Sequence, residues 1–253
     1  MIATVVSLLA AHLASGGLVV TTLLLLRHRL PRAFIRFCFA CSAVSAALAW
    51  KLGHGGMSFV YGLLAVAAAL SYAWLRRKKE GSPFPMVVTG ALAAVALGIE
   101  CLDNESAGWL LCAFGAAGSS LLLGSVAVSM VLGHWYLVDT TLSITPLKDG
   151  AILFLTAVVW RWLNVLVILA REGWDVVRVT SPADVFYSTL GLFFLFRALT
   201  GLIAPALLAG PILQTVRMRS TQSATGLLYV AMVLVLFGEL VAQFLAAATG
   251  FPL

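Results

Sequence analysis

The twenty residues AILFLTAVVWRWLNVLVILA, positions 151–170, hold one charged side chain, Arg161, and neither proline nor glycine. The hydrocarbon core of a bilayer is about 30 Å thick and an α-helix rises about 1.5 Å per residue, so roughly 20 apolar residues make one crossing. The run is continuous rather than alternating, and it is about twice the length that a barrel strand needs. It predicts a membrane-spanning helix over residues 150–170.

Seven further segments read the same way: 2–26, 34–50, 57–75, 84–102, 109–132, 185–208 and 226–249. Those at 34–50 and 84–102 lie near the lower length limit. Of the 253 residues, 62% are hydrophobic and only 10% charged, whereas soluble domains carry about 25% charged residues. Mean hydropathy is +1.04. These values exclude a soluble or disordered chain. The expected fold is all-α, a polytopic transmembrane helix bundle of about eight crossings, with residues 1–253 forming a single integral membrane domain.

Lys and Arg set the orientation. With the N-terminus outside, the inner connections hold Arg27, Arg29, Arg32, Arg36, Arg76, Arg77, Lys78, Lys79, Lys148, Arg217 and Arg219, eleven in all. The outer side holds three, Lys51, Arg171 and Arg178, together with the acids Glu100, Asp103, Glu105, Glu172, Asp175 and Asp184. Both termini are then expected on the outer side, and the expected location is a bacterial cytoplasmic (inner) membrane. A cleaved signal has basic residues ahead of its apolar run. Here the first, Arg27, follows it, so residues 2–26 are expected to remain as the first helix. The net charge of +6 is explained by topology near anionic headgroups, with lipid and no nucleic acid as partner. Longer connections are expected at Gly133–Asp149, Arg171–Asp184 and 211–225.

Three charges fall near the middle of crossings: Arg161, Arg197 and Glu239. Each costs about 2.5–3.5 kcal/mol at that depth, roughly 8–10 kcal/mol together if unpartnered. They must face the bundle interior, where an Arg–Glu pair relieves the cost. One glutamate cannot neutralise two arginines, so an excess positive charge is expected. Asn164 follows Arg161 by three positions and Gln243 follows Glu239 by four, on the same helical faces. With His12, midway along the first segment, they make a polar seam. It suits a ligand-binding site, a proton relay or a structural network.

The stretch Gly133-His134-Trp135-Tyr136-Leu137 concentrates polar and aromatic chemistry at the inner surface. Its candidate role is a binding edge of His134, Trp135 and Tyr136; its plainer role is an aromatic belt. Haem between helices needs two histidines at matching depth, and His12, His28, His54 and His134 do not supply them simply, so haem is disfavoured. Cys38 and Cys41 read as packing residues, whereas Cys101 and Cys112 flank an outer loop that a disulfide could close. Zinc, iron–sulfur and nucleotide-binding motifs are missing, and no metal site is expected. Leu97-Gly98-Ile99-Glu100 and Phe237-Gly238-Glu239 hint at a four-plus-four repeat.

Three functions follow from these residues. The first is a non-catalytic membrane subunit of a larger redox or respiratory complex. It would anchor partner subunits and line a quinone pocket or proton path, since quinone carbonyls accept hydrogen bonds from Arg, His and Gln. The second is a transporter of a small anion or organic acid, using Arg161 and Arg197 with Glu239 for coupling. Pro205, Pro211, Gly191 and Gly201 would let its seventh helix bend. The third, an enzyme acting on lipid phosphate, needs an acid beside His134, Arg217 and Arg219, and only Asp139 is near. Quinone is the cofactor the first function implies.

Overall fold

The computed structural model describes residues 1–53, 56–77, 83–102, 106–139, 142–177 and 185–253. His54, Lys78, Lys79, Asp103, Glu105, Arg178 and Asp184 lie outside the described residues. The chain is all-helical, with no strand among the described residues. Its helices are α1 (Ile2–Arg27), α2 (Arg32–Leu52), α3 (Gly56–Arg77), α4 (Phe84–Glu100), α5 (Trp109–Val138), α6 (Thr145–Glu172), α7 (Thr189–Ala198), α8 (Ala204–Arg217) and α9 (Thr221–Thr249). A π turn, Leu199–Ile203, joins α7 to α8, and the two form one apolar span, Thr189–Arg217. Among the described residues, seven spans are long and apolar enough to cross a membrane; α4, at 17 residues, is shorter.

Two helices form the centre. In α1 and α5, 67% of the most apolar stretch is buried, against 28% to 39% in the other long spans. Both are rich in Gly, Ala and Ser, and small side chains let helix backbones approach closely. A Cβ on Gly16 would lie 1.8 Å from the Ser120 carbonyl oxygen, and one on Gly124 would lie 2.2 Å from the Gly16 carbonyl carbon. Neither position has room for alanine. The outward faces carry large apolar side chains instead, among them Phe59, Leu63, Val66 and Leu70 on α3 and Val230, Val233 and Phe237 on α9. An apolar outside around an interior holding Ser, His, Arg and Glu is what lipid as solvent selects.

Contacts along α1 give the direction of its neighbours. Ser7 donates to the Ala49 carbonyl at the end of α2, and Thr22 donates to the Met86 carbonyl at the start of α4. Asp149, at the start of α6, meets Arg27 and His28 at the end of α1. Thr4 and Leu253 line one cavity, so the two ends of the chain share one end of the bundle.

Two expected connections are largely helix. The run 133–149 narrows to 139–144, because His134–Tyr136 continue α5 and Pro146 sits in the first turn of α6, where a missing N–H leaves no bond unmade. The run 211–225 narrows to Met218–Ser220. Pro211 lies inside α8 and removes only one backbone bond from a packed helix. The break comes instead at Arg219, with φ 58°. In the Arg171–Asp184 connection, Gly173–Val177 forms a 3₁₀ turn, and Trp174 packs edge-on against Phe194.

Candidate functional site

Glu239 is fully buried and lies between the two arginines of neighbouring helices. Arg161 on α6 donates from Nε to Oε1 at 3.1 Å and from Nη2 to Oε2 at 3.3 Å. Arg197 on α7 donates from Nη2 to Oε1 at 2.9 Å. Ser119 on α5 also hydrogen-bonds this carboxylate. The local backbone makes room for the arginine. A Cβ at Gly201 would fall 1.7 Å from Arg197 Nη1, and one at Gly238 would fall 2.3 Å from the Gly201 Cα. The helix carrying Arg197 opens into its π turn directly afterwards. Pro205 cannot donate to the Gly201 carbonyl and its ring crowds that oxygen, so the wider turn relieves both problems.

A second polar chain runs alongside. His12 Nδ1 lies 2.9 Å from Gln243 Nε2, and His12 Nε2 lies 3.1 Å from Glu100 Oε1. With the Gln243 amide donating to Nδ1, the Nε2–H donates to Glu100, a single neutral tautomer that satisfies both bonds. Tyr61 on α3 donates its hydroxyl proton to the other Glu100 oxygen.

Glu100 departs from one expectation. It reads in the sequence as an outer-loop acid, but it ends a 17-residue helix and its side chain is only 12% exposed. Its bonds to His12 and Tyr61 hold the carboxylate between α1, α3 and α4. Glu100 adds a second carboxylate to the site that holds Glu239 and the two guanidinium groups of Arg161 and Arg197.

The two chains meet at a cavity of about 200 Å³, lined by His12, Glu100, Ser119, Arg161 and Gln243. Residues 250–253 turn back over it. Gly250 takes φ 82°, the left-handed value that glycine tolerates. The Pro252 carbonyl then accepts from Asn164 Nδ2 at 2.7 Å, and the Leu253 carbonyl accepts from Arg161 Nη2 at 2.9 Å. Buried donors remain: among the described residues Arg161 Nη1, Arg197 Nε and Arg197 Nη1 have no hydrogen-bond partner. A ligand carbonyl or an ordered water in the cavity would satisfy the Arg161 donor.

Of the seam expected from sequence, Arg161, Arg197 and Glu239 form one cluster, and His12 with Gln243 forms the other. Asn164 bonds the 250–253 segment rather than a seam side chain. His134, Trp135 and Tyr136 have separate surroundings on the last turns of α5. His134 is exposed, Trp135 packs edge-on against Phe34, and buried Tyr136 donates to the Ser143 carbonyl. Glu100, Tyr61 and Ser119 complete the site beyond the seam. Cys101 and Cys112 are disulfide-bonded, joining α4 to α5 beside the cavity, whereas Cys38 and Cys41 are free thiols. No group of three His, Cys, Asp or Glu side chains among the described residues could hold a metal ion.

The fold and these residues define a helical bundle whose helices are long and apolar enough to span a membrane, with a buried polar cavity. No family model, curated protein or solved structure matches the chain.

Proposed function

We propose that the chain is a non-catalytic integral membrane subunit of a larger redox complex, anchoring partner subunits and lining a quinone pocket that also passes protons. The observation that carries this reading is the cavity that His12 and Glu100, the latter bonded to Tyr61, line together with Arg161, whose Nη1 has no hydrogen-bond partner. A guanidinium N–H suits a quinone carbonyl. A neutral imidazole bonded to a carboxylate suits the proton that accompanies quinone reduction. The apolar walls, Leu8, Ala242 and Ala246 among them, suit the ring.

In this reading α4 makes an eighth crossing and both termini face outside, in a bacterial cytoplasmic membrane. Two independent features support that orientation. Arg27, Arg76, Arg77 and Arg217 end their helices on one side, as inner residues do. Cys101–Cys112 lies beside the cavity that the chain ends share, and disulfides persist on the oxidising side.

A second reading, an anion transporter, draws on the unpartnered donors of Arg161 and Arg197. Against it stands Glu100, which puts a second carboxylate into the same layer. Vesicles separate the two. The purified chain alone should leave anion flux at the level of empty vesicles, while quinone-linked electron transfer in native membranes should fall at least tenfold with Glu100→Gln. Anion flux through the isolated chain, with electron transfer unchanged in the variant, would reverse the choice.

A further inference from the structure

Two voids share the same helices. The polar cavity takes His12, Glu100, Ala116 and Arg161 from α1, α4, α5 and α6. A second void, of about 350 Å³, takes Gly16, Leu97, Gly98, Ala117 and Trp160 from the same four. Gly16 lies one helical turn deeper than His12, Leu97 nearly one turn deeper than Glu100, and Trp160 is the neighbour of Arg161. Leu97 of the groove and Ala116 of the cavity pack in one apolar cluster with Cys101, so the walls of the two voids touch.

Their chemistry differs sharply. Apart from the hydroxyl of Ser120 and the edge of Trp160, the groove is lined by Gly, Ala, Val and Leu. Ala94 on its rim is exposed on the flank of the bundle, the flank that meets lipid when α4 spans the membrane. A polar chamber beside an apolar trough fits a molecule with a hydrogen-bonding head and a hydrocarbon tail better than it fits a free ion.

We propose that this groove binds the isoprenoid chain of a quinone whose ring occupies the polar cavity, the molecule entering sideways from the lipid between α4 and α6. This rests on the quinone reading of the cavity and assigns the groove as the part of the site that selects for chain length.

Gly98 offers a clean test, because a Cβ built there meets no atom within 4 Å. Gly98→Leu therefore starts from open space in the wall of the groove and puts three further carbons there. Gly226→Leu, at another open glycine near the start of α9 and outside the groove, is the control. Binding of a benzoquinone carrying a decyl chain, and of the same ring carrying only a methyl group, is measured on the full chain in lipid nanodiscs by quenching of tryptophan fluorescence. The expected result is that Gly98→Leu weakens the decyl compound about tenfold or more, as loss of two or three buried methylenes would. The methyl compound and the Gly226→Leu control should be unchanged. If both compounds bind and Gly98→Leu affects neither, or both equally, the groove proposal is overturned and the cavity reading survives. If neither compound binds to the unsubstituted chain, both fall.

Discussion

His12 Nε2 lies 3.1 Å from Glu100 Oε1, joining α1 to α4 inside the bundle. This contact brings a second acid to a site with two arginines and one glutamate, and it places a protonatable ring next to the cavity. Glu100→Gln keeps the side-chain shape but removes the charge. Thermal unfolding should shift only modestly, by about 1–3 kcal/mol for a weakened buried hydrogen bond, while proton-linked electron transfer falls at least tenfold. A variant with normal transfer would make the contact purely structural.

Glu239 serves two arginines, so substitutions in the triad should not be equivalent. Glu239→Leu strands two buried guanidinium groups and should cost about 3–5 kcal/mol. Arg197→Leu leaves both bonds from Arg161 intact and should cost about 1.5–3 kcal/mol, the worth of one hydrogen bond to a charged group. Combining Arg197→Leu with Glu239→Leu should not restore stability, because Arg161 then has no acid. Unfolding temperatures in one detergent rank the three variants; full recovery in the double variant would contradict the shared carboxylate.

The Cys101–Cys112 bond closes a short loop between α4 and α5, with a sequence separation of 11. Reduction, or Cys112→Ser, should lower stability by about 3 kcal/mol on the loop-entropy scale. Thiol labelling of the native protein before and after reduction checks the bond, and an unchanged unfolding temperature after verified reduction would count against its structural role.

Gly16 and Gly124 face one another across α1 and α5 with no space for a methyl group. Gly124→Ala should force the central helices apart and cost about 1–3 kcal/mol or more. Gly226→Ala, in open space, should cost less than the helix-propensity gain returns. Expression level and thermal unfolding of the two variants compare them directly.

Much of the bundle is legible in the residues themselves, since helix length and apolar continuity are what a bilayer selects. The buried Arg161, Arg197 and Glu239 stand out because each breaks an apolar run. Glu100 does not stand out in that way. It ends its run, where an acid normally reaches water, and its bonds to His12 and Tyr61 hold it inside the bundle. Tyr61 is equally silent, an amphipathic side chain in an apolar helix with no local sign of its partner. The helix ends at Val138 and Arg217 were obscured because aromatic residues and Pro211 resemble breaks, whereas packing carries the helices through them.

The most direct measurement is purification of the native protein in mild detergent, with mass spectrometry of the accompanying chains and extraction of bound quinone. Stoichiometric redox subunits with about one quinone per chain, the quinone lost in Glu100→Gln, is the expected result. A solitary chain or self-assembly without quinone would contradict the proposed function.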